Sequence, residues 1–264
     1  MRETNAMSHK LFIVADDLGL HKSVNDGIIF LLKSGKIDGA SLMPNGEAFE
    51  DAVKQYLEAK LPSEKIGIHI NLVEQRSVLS GKPMTKNHRL FFIKYMLGLI
   101  RKDDIQKELE AQFKKVIQAG IKPSFINGNQ HLHLLPGVME TTIELAQKYG
   151  INYIRIVNEP VSLNKGKFFR QVQLIFLNFL SKLAKNKIKK SGLEGNDYFV
   201  GFVNAMNLEK GDIKAARNLV EKYPNKVIEL GCHPGYEDDD LRRRFKHWGD
   251  CHWQKELDLL NDYF

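Results

Sequence analysis

Short apolar runs alternate with segments of helical period along the whole 264-residue chain. Lys10–Ala15, Gly39–Met43, Lys65–Leu72, Ser124–His133, Tyr153–Val157, Phe199–Val203 and Val227–Cys232 read as strands. Between them Val24–Ser34, Glu47–Lys60, Asp103–Ala119, Val138–Tyr149 and Gly211–Glu221 read as helices, with Gly35, Gly120 and Gly150 as stop signals. Strands separated by helices favour a parallel sheet with right-handed crossovers. Without a linker or an internal repeat, the pattern predicts a single domain over 1–264. The expected fold is α/β, an irregular TIM-barrel-like (β/α) barrel of about seven strands. An open doubly wound sheet is the alternative. Either places a site at the C-terminal ends of the strands.

Composition removes other classes. With 43% hydrophobic and 27% charged residues, the chain is neither disordered nor collagen-like. Cys232 and Cys251 form no CxxC pair and no disulfide framework, which points to a reducing compartment. The first ten residues have no apolar core of a secretory signal. No run approaches the roughly 20 apolar residues of a membrane span. A cytoplasmic protein is expected. The net charge of +7 is local: Lys165–Lys190 holds eight Lys or Arg and no Asp or Glu. That window is also rich in Phe and Leu, so nucleic acid is not the expected partner.

Polar residues sit where the apolar runs end. Asp16-Asp17 closes the first strand, His69 interrupts the third, and Cys232-His233-Pro234 closes the last. On the fourth, Asn127, Asn129, His131 and His133 follow the period of two that puts them on one face. In a parallel barrel these ends meet on one rim. Adjacent carboxylates are costly unless a cation or a proton separates them, and both enter one site only if the strand breaks there. Singly, each feature has a plain explanation: a helix cap for Asp-Asp, a hydrogen-bonded core residue for His69. Four together point instead to a divalent-metal site, with one Asp and donors from other strands, and a spare Asp as base.

At these residues the chain resembles the YdjC-like carbohydrate deacetylase family, which includes chitooligosaccharide deacetylases and a hopanoid-biosynthesis branch. The motifs are IVADDLG (Ile13–Gly19), IGIHINL (Ile66–Leu72), KPSFINGNQHLHLLP (Lys122–Pro136) and ELGCHPGY (Glu229–Tyr236). The resemblance implies metal-dependent removal of acetyl groups from N-acetylated sugars, with Mg or Zn as the ion. It implies Asp17 and His69 as metal ligands, Asp16 as catalytic base and His233 as acid, with Asn45 and His133 as substrate contacts. One position departs. The family's first His on the fourth strand, a metal ligand, is Asn129 here, and its Asp is Asn127. Either Asn129 binds through oxygen, or His131 replaces it, or the site holds metal poorly. A metallohydrolase for a non-sugar amide or ester, and a non-catalytic sugar- or lipid-binding relic, remain as alternatives, and a homodimer stays open.

The basic insert, about 164–196, carries a further expectation. Phe169, Phe176, Leu180, Leu183 and Ala184 share one helical face, with Lys182, Lys185 and Lys189 towards another. The segment reads as a barrel helix with a solvated Lys face, or as an interfacial helix over 168–190 in peripheral contact with anionic lipid, serving a lipid-linked sugar.

Overall fold

The computed structural model describes residues 11–161 and 168–264; the first ten residues and the start of the insert, 162–167, lie outside it. Seven parallel strands form one sheet in the order β5-β4-β3-β2-β1-β7-β6. They are β1 (Leu11–Leu18), β2 (Gly39–Leu42), β3 (Ile66–Ile70), β4 (Phe125–Gly128), β5 (Tyr153–Ile154), β6 (Tyr198–Val200) and β7 (Ile228–Cys232). Helices α1 (Lys22–Lys33), α2 (Phe49–Glu58), α4 (Lys102–Gln118), α5 (Val138–Tyr149), α6 (Phe168–Lys190) and α7 (Lys210–Lys222) lie among them, as the alternation predicts. The sheet curls into an irregular barrel. Between β5 and β6 there is no ladder; Phe199 N donates to Asn158 O at 3.0 Å. There the Asn196 amide pairs with both backbone groups of Ile156, at 2.8 Å each.

Strand alternation sorts the side chains into two environments. On β1, Ile13 and Ala15 join the large core shared with the helices, whereas Phe12 and Val14 pack with Phe125 and Tyr153 in a separate cluster. Phe12 meets Phe125 and Tyr153 edge to face. Room for these rings comes from Gly67, where a Cβ would lie 2.3 Å from the Phe125 ring. One step further along the same strand faces come Asp16, Ser41, His69, Asn127, Arg155 and Glu229, all buried. The barrel interior is thus an aromatic plug with a polar layer above it, the layered filling of a small parallel barrel.

Three expectations need correction. The fourth strand stops at Gly128, not His133; Asn129–Leu134 is a 3-10 turn in which Gln130 and His131 take positive φ (52° and 55°). The period-two argument therefore fails beyond Asn127, and His131 and His133 point to different surroundings. The stretch between β3 and α4, to which the pattern assigns no helix, contains α3 (His88–Met96), and α8 (Asp239–Arg244) and α9 (Trp253–Tyr263) follow β7. Finally, the α6 face read as continuous is split: Leu180 and Ala184 are buried, whereas Phe169, Phe176 and Leu183 are exposed. Among the described residues no helix is long and apolar enough to cross a membrane.

Candidate active site

Asp16 and Asp17 diverge because the backbone turns over between them. Asp17 has φ 68°, and the β1–β2 register slips between Ala15 and Leu18. A non-glycine residue in this left-handed region costs on the order of 1–2 kcal/mol. The backbone therefore turns at Asp17 itself, inside β1. Both carboxylates reach one site as a result.

Asp16 is held from three sides. Arg155 donates to both of its oxygens, at 2.5 and 2.9 Å, and Ser41 Oγ and the Asn127 amide donate to Oδ1 at 3.0 and 2.9 Å. Arg155 also donates through Nε to Glu229, which accepts from the Tyr153 hydroxyl at 2.8 Å. Burial alone would raise the Asp16 pKa, but the Arg155 charge, with His69, holds it well below the usual carboxylate range. Asp16 is a carboxylate at any working pH.

Asp17 faces His69 instead, with Oδ1 3.4 Å from Nε2. The other ring nitrogen of His69, Nδ1, lies 2.7 Å from Asn127 Oδ1 and 3.2 Å from Ser41 Oγ. Asn127 and Ser41 already donate to Asp16, so towards His69 they can only accept. Nδ1 therefore carries a hydrogen, and Nε2 is the nitrogen turned to Asp17. A carboxylate oxygen and a ring nitrogen at this distance need a proton or a cation between them. Burial opposes charge on His69, but the Asp17 bond and the charges of Asp16 and Asp17 raise its pKa.

Asn129 donates its amide nitrogen to Asn71 Oδ1 at 3.0 Å, and Asn71 in turn donates to Asn45 Oδ1 at 3.2 Å. The nitrogen is committed, and the amide oxygen is the atom left for a ligand. Among the described residues no three His, Cys, Asp or Glu side chains form a metal-binding group. The His131 ring packs near Phe199 and Phe202, at 5.9 and 5.6 Å. Burial pushes its pKa well down.

A cleft of about 870 Å³ opens above this layer. Asp16, Asp17, His69, Asn129, His131 and His233 line it, with Phe199, Phe202 and Trp248 among its walls. Asn45 and His133 are not on its lining. Asn45 supports Asn71 from below, and His133 is fully buried, bonded through Nε2 to Arg155 O at 2.9 Å. Burial takes the His133 pKa down to about 3, so its ring is neutral and that nitrogen donates. His233 is placed by Glu256, which accepts from its backbone N–H at 2.5 Å. The following Gly235 packs directly on α1, where a Cβ on Gly27 would lie 2.7 Å from its Cα.

Sequence reasoning missed Arg155, Glu229 and Glu256. The signal was there: Arg155 interrupts the apolar run YIRIV, and Glu229 interrupts VIELG. A charge inside a core strand needs a partner, and each supplies the other's.

Glu159 fixes one wall of the cleft by accepting from Phe202 N at 2.7 Å. Burial outweighs that bond and pushes its pKa from 4.5 up to about 7. The folded state therefore holds the proton more tightly, and stability contributed below pH 4.5 is lost as pH rises to about 7. Glu159→Gln is expected to melt like wild type at pH 4.5 and to be more stable at pH 8, by at most about 3 kcal/mol. A stability difference independent of pH would remove this role.

Known proteins resemble this chain over most of its length. A carbohydrate deacetylase of Clostridium beijerinckii is 29% identical over 243 residues, covering 88% of this chain and 84% of its own. A chitooligosaccharide deacetylase of an Enterobacter species is 25% identical over 258 residues, covering 96% and 91%. A crystal structure from Enterococcus faecalis V583, named for cellobiose-phosphate cleavage, shares the fold, with a TM-score of 0.66 at 19% identity over 95% of this chain and 89% of that one. The family model for YdjC-like proteins matches residues 10–263. With that match over nearly its whole length, the chain belongs to the YdjC-like family.

Proposed function

We propose that this protein is a metal-dependent carbohydrate deacetylase that hydrolyses the acetamide of an N-acetylated sugar. The observation that carries the reading is the division of labour between adjacent carboxylates: Asp16 locked on Arg155, Asp17 turned to His69 Nε2. Relatives named carbohydrate deacetylase support the substrate class.

The residues fit a divalent ion. Asp17 Oδ1 and His69 Nε2 already face each other at 3.4 Å, a proton between them being exchangeable for the ion, and the Asn129 amide oxygen is the available third donor. One imidazole with two oxygens suits a hard ion such as Mg better than Zn. When bound, such an ion would polarise the acetamide carbonyl and acidify a water.

The rest of the chemistry belongs to the side chains. Among the described residues Asp16 Oδ2 accepts only from Arg155, which leaves it a lone pair for the proton of the attacking water. Arg155 holds that oxygen still, at the cost of basicity, so Asp16 works on a water that is already acidified. His233 lines the cleft on the last strand's end and supplies a proton to the departing amine. Phe199, Phe202 and Trp248 offer apolar faces for sugar rings. The test is release of free amine and acetate from an N-acetylated oligosaccharide by the purified chain. Binding of the sugar with no release would favour a non-catalytic relic.

Asn129→His tests the third donor. Restoring an imidazole is expected to tighten Zn binding by about tenfold or more, read by competition with a chromophoric chelator. Unchanged affinity would mean that position 129 does not reach the ion.

A further inference from the structure

Helix α6 is apolar on two sides. Leu174, Leu180, Ala184 and Ile188 are buried against the barrel. Phe168, Val172, Ile175, Phe179 and Leu183 recur at steps of three and four residues, which is one helix face, and all are exposed, Phe179 by 58%. At 1.5 Å per residue this outer stripe runs about 22 Å. Helix α3 widens it. Ile93, Met96 and Leu97 are exposed, Met96 by 67%, and the Phe92 and Phe176 rings meet edge to face at 5.8 Å. Two helices distant in sequence thus present one apolar surface, larger than scattered surface residues explain.

Charge selects what covers it. Both segments lack acids: Lys82–Lys102 holds six Lys or Arg and Lys165–Lys190 holds eight, with no Asp or Glu in either. Lys185 and Lys187 are held by Asp197 and Glu140. Arg89, Lys94 and Lys182 are exposed and form no ion pair among the described residues. A second copy docked face to face would bring these cations together. An anionic lipid surface answers both features, with acyl chains for the stripe and acidic headgroups for its margin. The surface also adjoins the site, because Asn87, His88 and Arg89 at the start of α3 and Arg170 in the first turn of α6 line the cleft.

We propose that the α3–α6 face docks on an anionic lipid surface and brings the cleft to an N-acetylated sugar carried by a lipid; the second half rests on the deacetylase reading. Burial is peripheral, since no described helix can span a bilayer, and salt weakens the contact.

Co-sedimentation of the full chain with phosphatidylcholine vesicles, with and without phosphatidylglycerol, tests it. Pelleting with the anionic vesicles at low salt is expected, and about tenfold less with pure phosphatidylcholine or at high salt. The double variant Ile175→Asp/Phe179→Asp is expected to lose binding by about tenfold or more, with its melting temperature and its amine release from a soluble oligosaccharide unchanged. Wild type staying in solution with both vesicles would overturn the proposal, as would a double variant that pellets like wild type. So would a dimer in sedimentation velocity that the variant dissolves while neither protein binds vesicles. Vesicle binding with no amine release from soluble or vesicle-borne substrate would sustain the docking face and sink the deacetylase reading instead.

Discussion

Asp16→Asn is expected to lower turnover by roughly 10²–10⁴-fold, the usual worth of a general base. The structure adds a second effect. Asp16 accepts four hydrogen bonds, from Arg155 twice, Ser41 and Asn127. An amide presents an N–H to some of these donors, and each donor left unsatisfied in this buried layer costs on the order of 1–3 kcal/mol. Turnover must therefore be compared per folded molecule, with the folded fraction read by thermal melting. Metal affinity should change little, because Asp17 and His69 stay in place. Near-normal turnover in the folded fraction would show that Asp16 only anchors Arg155 and that the base lies elsewhere.

Arg155→Met is expected to be the most destabilising single change in the polar layer, by roughly 3–5 kcal/mol. Arg155 is fully buried between Asp16 and Glu229, and its guanidinium lies 5.1 Å from the Phe199 ring centre. Its removal leaves two buried carboxylates facing each other. Adding Glu229→Gln to the variant should recover part of the loss. The loss should also shrink in acid. Arg155 depresses the Asp16 pKa below its ordinary 3.8, so the stability Asp16 gains is present above that value and lost as pH falls below it. A small or pH-independent loss would mean that the layer is solvated and Arg155 dispensable.

Much of this was legible in the sequence wherever a rule acts locally. Apolar runs between helical segments were enough for the parallel barrel, and α5 came out at Val138–Tyr149, ending at a left-handed Gly150. Of the residues placed on one rim, Asp16, Asp17, His69, Asn129, His131 and His233 line one cleft, whereas Asn127, His133 and Cys232 do not. What the residues withheld depends on long-range partners or on turns with no local signal. Nothing near Gln130 and His131 announces positive φ, so the strand was read five residues too long. Arg155 and Glu229 lie 74 residues apart, and neither shows what the other needs until the strands meet. Helix α3 is apolar nearly all round, so periodicity could not mark a buried face; it has one buried residue, Phe91.

The most direct measurement is acetate and free amine released from an N-acetylated oligosaccharide by the purified protein, before and after treatment with a chelator. Acetate and amine are expected in equal amounts, with loss of both on chelation and their return with added Mg or Zn, but no return in Asp17→Ala. Full activity in the chelated protein, or in Asp17→Ala, would contradict metal-dependent deacetylation, as would sugar that binds and is never deacetylated whichever ion is supplied.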